Sequence, residues 1–220
     1  MPVMRAPAAI LFDLDGTLVD TVPARIEAWT AVFDELGIPS TRAQLAPMIG
    51  MDGRQLARDV AAAAGRKLTD ERAEAIDRRA GELFDLHNRD PRPLPGAREL
   101  LRAVDERGLT WAIATSSRRE QVAASIAALG LGNEPRIVDG SRVERAKPAP
   151  DLLLLGAREL RVAPEDCWYV GDSTWDMRAA RAAGMAGFGV LAGAAVDEAA
   201  LRDAGASLVV PTLGDVELPG

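Results

Sequence analysis

Apolar positions follow two different rules along this chain. From Ala8 to Phe12 they run without interruption, Ala-Ala-Ile-Leu-Phe, and a charged residue follows at once. A short continuous run of this kind is the signature of a strand buried on both faces. Residues 22–88 show helical spacing and no convincing strand. Pro23 suits the first turn of a helix running to about Leu36, and Gly37 closes it. A segment at Thr41–Pro47 leads into a two-glycine loop, Ile49-Gly50-Met51-Asp52-Gly53. Helices are expected over Arg54–Ala64 and Thr69–Asn88, with Thr69 at the start of the second. The proline-rich stretch Arg89–Gly96 reads as a stiff linker.

Beyond residue 97 the pattern alternates. Helices are expected at 97–107, 118–129, 150–160, 174–183 and 197–204. Between them lie apolar runs at Leu109–Ala114, Arg136–Asp139, Cys167–Val170, Gly187–Leu191 and Ser207–Val210. Alternation of this kind predicts an α/β fold, a doubly wound parallel sheet with helices on both faces. The all-helical block then reads as an insertion after the first strand. Residues 1–20 and 91–220 form the expected core and residues 21–90 the expected helical cap. Connections near 17–22 and 89–95 would let the cap act as a lid.

Composition narrows the possibilities. The 220 residues, 48% of them hydrophobic, suffice for one large domain with an insertion. No stretch approaches the ~20 apolar residues of a membrane span. Met-Pro-Val-Met-Arg leads directly into the first strand, so no cleavable leader is expected and the expected location is cytoplasmic. A lone cysteine, Cys167, rules out an internal disulfide framework. The net charge of −7 disfavours nucleic acid and anionic membranes as partners. A small anionic substrate fits if cations are concentrated locally, in a monomer or small homo-oligomer.

The chemistry collects where apolar runs end. Asp13 and Asp15 follow the first strand, Thr115-Ser116-Ser117 the second, and Gly171-Asp172-Ser173-Thr174-Trp175-Asp176 a later one; Lys147-Pro148 precedes a helix. In a parallel sheet all strand carboxyl ends share one edge, so Asp13, Asp15, Thr115, Lys147, Asp172 and Asp176 can converge. Close carboxylates repel unless a proton or cation intervenes. Their oxygens suit Mg²⁺, which takes a few carboxylates, waters and substrate phosphate at about 2.0–2.1 Å. The hydroxyl and the lysine suit phosphate oxygens.

These four ordered motifs resemble those of the haloacid dehalogenase-like hydrolases, mostly phosphatases. Asp13-Leu14-Asp15-Gly16-Thr17 is similar to the first family motif, Thr115 to the second, Lys147-Pro148 to the third, and Gly171–Asp176 to the fourth. The resemblance implies that Asp13 is a nucleophile forming an aspartyl-phosphate and that Asp15 is the acid/base. It implies Mg²⁺ on the Asp13 carboxylate, the Asp15 carbonyl and Asp172. Thr115 and the Ser116 N–H would bind the phosphoryl group, Lys147 would neutralise charge, and Asp176 would hold Lys147 or a metal-bound water in place. Thr17 is grouped with the substrate-binding residues and favours hydrolysis. An acid at position 15 disfavours dehalogenase and phosphonate chemistry. Arg54, on the loop expected to close over the site, is the candidate clamp for a substrate carboxylate or second phosphate; a solvated helix arginine is the alternative.

The resulting expectation is a Mg²⁺-dependent phosphatase of a sugar phosphate or phosphoglycolate-like metabolite. A sugar phosphomutase of the β-phosphoglucomutase type and a non-catalytic phosphometabolite-binding protein are the alternatives. Trp175, between two candidate aspartates, is the tryptophan whose position bears on the site.

Overall fold

A computed structural model describes residues 5–219. Met1–Met4, on which the expectation about a leader partly rests, lie outside the described residues. In chain order the strands are β1 (Ala9–Phe12), β2 (Thr110–Thr115), β3 (Ile137–Asp139), β4 (Cys167–Gly171), β5 (Ala186–Val190) and β6 (Leu208–Val210). The helices are α1 (Val22–Glu35), α2 (Arg42–Leu45), α3 (Gly53–Ala63), α4 (Asp70–His87), α5 (Ala97–Glu106), α6 (Ala123–Leu129), α7 (Asp151–Leu160), α8 (Thr174–Ala183) and α9 (Glu198–Ala204).

The strands make one six-stranded parallel sheet in the order β3-β2-β1-β4-β5-β6. Successive side chains point to opposite faces, so each central strand feeds two cores. On one face Ile10, Phe12, Ile113, Val170 and Phe188 pack with Leu100, Leu101 and Val104 of α5. On the other, Leu11, Ala112, Ala114 and Tyr169 meet Leu152 and Leu153 of α7 and Ala179 and Ala180 of α8. Both faces of β1 are therefore apolar, which is why its sequence shows no alternation. The chain order reverses direction between β1 and β4, and the crevice at their carboxyl ends is where open α/β sheets bind ligands.

Residues 22–87 carry only helices and build a separate core, in which Ile26, Trp29 and Phe33 of α1 pack with Leu56 and Val60 of α3 and Ile76 and Phe84 of α4. Thr69 caps α4 by accepting a hydrogen bond from the Arg72 N–H at 3.2 Å. Val19 bridges both Asp15 and Pro93, so the chain enters and leaves the block side by side. One helix expectation needs correction. Residues 118–129 are divided, a 3₁₀ turn at Arg119–Gln121 preceding α6. The Arg118 N–H donates to the side chain of Gln121 at 3.3 Å, which tightens the turn before α6 begins.

Candidate active site

The β1 strand delivers the first carboxylate. The Asp13 N–H donates to the Val170 carbonyl at 2.8 Å, carrying β1–β4 pairing one residue past Phe12. The chain then turns sharply at Gly16, whose φ of 82° is the left-handed region that favours glycine. A Cβ there would also lie 2.6 Å from Val22 Cγ2 and collide with the Asp172 carboxylate. Gly16 thus lets the β1 turn fold directly onto the end of β4.

Lys147 is the centre of the buried network, at 1% exposure. Its Nζ donates to Asp13 Oδ1 at 2.5 Å, to Asp176 Oδ1 at 2.7 Å and to the Tyr169 hydroxyl at 3.1 Å. Tyr169 in turn donates to Asp176 Oδ1 at 2.8 Å. The other Asp176 oxygen accepts from the Ser173 hydroxyl at 2.6 Å and the Ser173 N–H at 3.0 Å, which caps α8 and fixes the carboxylate. Thr17 is wholly buried and donates to Asp172 Oδ1 at 2.8 Å.

Asp13, Asp172 and Asp176 each offer an oxygen within 4.8 Å of the others. One lysine does not balance three buried carboxylates. Burial raises the Asp13 carboxyl to about 7 despite Lys147, with Asp176 and Asp15 adding to the rise. Burial, Asp176 and Asp13 likewise push Asp172 well above the carboxylate range. Among the described residues, Oδ2 of Asp13 and Oδ2 of Asp172 have no protein donor, whereas both oxygens of Asp176 do. Hard oxygen donors with a deficit of positive charge fit a divalent cation such as Mg²⁺.

Asp15 has the opposite setting. Its Oδ1 accepts from the Thr21 hydroxyl at 2.7 Å, and its Oδ2 from the Ser117 hydroxyl at 2.5 Å and Arg25 Nη2 at 3.0 Å. Burial by itself would raise this carboxyl, but Arg25 and the three hydrogen bonds outweigh it and hold Asp15 below its ordinary value. Thr21, Arg25, Ser117 and Tyr169 were not among the sequence candidates. Thr21 precedes α1 and reads as a helix start, yet its hydroxyl serves Asp15. Arg25 reads as an ordinary helical arginine, and Tyr169 as one more apolar residue of a buried strand.

A cavity of about 70 Å³ opens between this edge and the helical block. Asp13, Asp15, Thr115 and Lys147 line it from the core, and Arg25, Trp29, Met51 and Leu56 from the block. Thr115 Oγ1 accepts from the Ser117 N–H at 3.1 Å, which leaves its own proton to donate. The Ser116 hydroxyl donates to the Gly50 carbonyl at 3.2 Å, where the two-glycine loop meets the core.

Two residues expected at the substrate lie elsewhere. Thr17 points at Asp172, behind the cavity. Arg54 pairs with Asp52 at 2.8 Å and donates to the Glu144 carbonyl at 3.2 Å, outside this cavity. Asp52 caps α3 and lies two residues before Arg54, so the short local pair competes with any reach inward. Trp175 is a docking residue: its indole N–H donates to the Pro47 carbonyl of the block at 2.8 Å. His87 lies 3.4 Å from Glu27, away from the site, and burial pushes the Cys167 thiol up to about 11.

A buried lysine and an acidic cluster thus meet at the switch point of a parallel α/β sheet. Residues 7–184 match the family model of the haloacid dehalogenase-like hydrolases, and the chain belongs to that family. Over 193 residues it is 35% identical to a phosphoglycolate phosphatase of Xanthomonas campestris pv. campestris, covering 83% of this chain and 82% of that protein. It is 35% identical over 174 residues to hexitol phosphatase A of Escherichia coli, covering 79% and 78%. The fold superposes on the crystal structure of a hydrolase from Pseudomonas syringae with a TM-score of 0.90 and 34% identity, covering 96% of this chain and 95% of that one. Within the family the chain is a phosphatase-type enzyme, a phosphoric monoester hydrolase.

Proposed function

We propose that the enzyme hydrolyses a small phosphorylated metabolite, a sugar phosphate or phosphoglycolate-like ester, through an aspartyl-phosphate on Asp13. The observation that carries this reading is the placement of two carboxylates with different partners on one cavity. Asp13 lies against Lys147 and the acidic cluster, and Lys147 with a divalent cation there would hold it ionised, as an attacking group requires. Asp15 is held by Arg25, Ser117 and Thr21, which favour its carboxylate, the form that takes a proton from water.

In this reading an ionised Asp13 oxygen attacks phosphorus, and the ester oxygen leaves with a proton from Asp15, which takes that proton up as the anionic substrate binds beside it. Asp15 then takes a proton from the water that attacks the phosphorus of the aspartyl-phosphate. Asp13 is released as carboxylate and phosphate departs. Lys147 and the Thr115 hydroxyl hold the phosphoryl oxygens as charge develops on them. Asp176 and Tyr169 keep the Lys147 ammonium in place. Asp13, the Asp15 carbonyl and Asp172 would hold Mg²⁺, which when bound screens the repulsion between the carboxylate and an anionic phosphoryl group.

Residues 21–90 serve as a cap over a core made of 1–20 and 91–220. The separate apolar core of the block and its paired connections support this division. Among the described residues no helix is long and apolar enough to cross a membrane, and we take the enzyme to act in the cytoplasm. The narrow cavity between the sheet edge and the block supports a small substrate. A screen of phosphate esters with Mg²⁺ tests the reading. Phosphate release should be abolished by chelation and by Asp13→Asn. Isomerisation of a sugar phosphate in the presence of its bisphosphate, with little phosphate released, would replace it by a phosphomutase. Binding of such esters with no turnover would replace it by a binding protein.

A further inference from the structure

The turn that divides residues 118–129 has a task outside the reaction itself. Arg118 follows Thr115-Ser116-Ser117 of the core. Its Nη2 donates across the seam to Glu74 Oε1 at 2.6 Å and to Asp77 Oδ2 at 3.0 Å, both on α4. The Arg118 N–H donates to Gln121 Oε1 at 3.3 Å, and the Gln121 amide nests against α4 where Gly81 leaves room; a Cβ there would overlap Gln121 Nε2. Among the described residues, three ion pairs join the helices of the block to the core: Arg25–Asp15 and the two made by Arg118.

Position separates these pairs. Arg25 stands near the start of α1, beside the paired connections where Val19 bridges Asp15 and Pro93. Glu74 and Asp77 lie about 20 and about 15 Å along α4 from His87, the end that leads into the exit connection. Rotation of the block about its connections therefore parts Arg118 from α4 much further than it parts Arg25 from Asp15. Two cavities also meet here. A second cavity of about 210 Å³ lies in the seam, lined by Arg118, Glu74 and Asp77 among others. Gly53, Asp77, Ser116 and Gln121 line both it and the catalytic cavity. Two of those four, Asp77 and Gln121, are held by Arg118.

We infer that Arg118 is a latch between core and cap. Its pairs with Glu74 and Asp77 close the seam far from the connections, and their rupture joins the two cavities and opens a path for ester to enter and product to leave. The inference rests on the reading of residues 21–90 as a cap over the phosphatase site. The three side chains are 23–32% exposed, so the pairs are weak enough to open repeatedly and are screened as salt rises.

Backbone amides report opening without any substrate. The Asp52 N–H of the block donates to the Lys147 carbonyl of the core at 3.2 Å, whereas the bond from the Asp13 N–H to Val170 lies within the core. Hydrogen exchange followed by NMR should show the Asp52 amide exchanging roughly five- to tenfold faster in Arg118→Met than in the wild type, as for two partly exposed ion pairs lost together, with the Asp13 amide unchanged. Raising NaCl from about 0.05 to about 0.5 M should speed the Asp52 amide in the wild type and do so far less in the variant. A role confined to packing of the arginine stem would not produce that difference. A variant carrying Glu74→Gln and Asp77→Asn should match Arg118→Met, and combining all three changes should add no further acceleration. If Arg118→Met does not fold, the carboxamide variant decides from the cap side. An Asp52 amide unmoved in the variant, or an equal salt response in both proteins, overturns the inference. Exchange is read without turnover, so failure to hydrolyse any phosphate ester would overturn the phosphatase reading while the exchange result still decides the latch.

Discussion

At the sheet edge Lys147 is 1% exposed and makes its contacts within a rigid set of strand ends, whereas across the cavity Arg25 reaches in from a helix with its side chain 13% exposed. The first cation belongs to the core, where the parallel backbone register places Asp13, Thr115 and Asp172 on one edge. The second arrives on a long side chain steadied by an aromatic ring and two acceptors. The contrast separates two kinds of specification. At the sheet edge the groups are buried and leave no alternative arrangement. Across the cavity, helical side chains have partners that can be exchanged.

The comparison is sharpest if the two sides fail differently when broken. Asp15→Asn should lower kcat by about 10²–10⁴-fold, the contribution of a positioned acid/base, while the protein stays folded; a change under tenfold would remove Asp15 from proton transfer. Lys147→Met leaves Asp13 and Asp176 buried without their cation. Urea unfolding should then show a loss of roughly 3–5 kcal/mol, the cost of breaking a buried pair from one side. Unchanged stability would mean that the carboxylates are neutral in the native state.

A smaller effect concerns pH. Asp13 has a raised carboxyl, at about 7 in the fold against an ordinary value of 3.8, and Asp172 shifts in the same direction. The native state then binds more protons than the unfolded chain between those values, so these groups make stability fall as pH rises through that window. Lys147 is protonated in both states there and does not contribute to the slope. Asp15 shifts downward, so its contribution is lost only below the ordinary carboxylate range. Melting temperatures without divalent cation should therefore decline from about pH 4 to pH 7 relative to Asp13→Asn, and Mg²⁺ should stabilise the wild type more at the upper end. Equal stabilisation by Mg²⁺ across the window would separate the ion from these carboxylates. The smallest effect belongs to Arg54→Ala, which should change kcat/KM by no more than roughly twofold, as for an exposed side chain away from the site. A tenfold rise in KM would return Arg54 to the cavity.

Much of the sheet edge was legible in the sequence, and the reason is geometric. The runs ending in Asp13, Thr115 and Asp172 are apolar without alternation because both faces of those strands are covered, and their ends are then marked by the first polar residue. Thr69 was legible as a cap because a hydroxyl before a helix has one local use. Arg25 was not, because an arginine in a helix has many possible partners and only the packing of α1 against α4 orients it. Nor does the sequence single out Ser117, whose hydroxyl accepts from Arg25 and donates to Asp15. Tyr169 could have been anticipated: a wholly buried lysine between two carboxylates benefits from a further polar neighbour, and this is the chain's single tyrosine. The misplacement of Arg54 has a local cause, since Asp52 two residues earlier is both cap and ion-pair partner.

The account rests most heavily on Asp13 as the atom donor to phosphorus. Acid quenching during turnover of a phosphate ester, followed by peptide mapping, measures this directly. The predicted result is phosphate on the peptide containing Asp13 in the wild type and none in Asp13→Asn. Phosphate mapped to another residue, or undiminished turnover by Asp13→Asn, would contradict it.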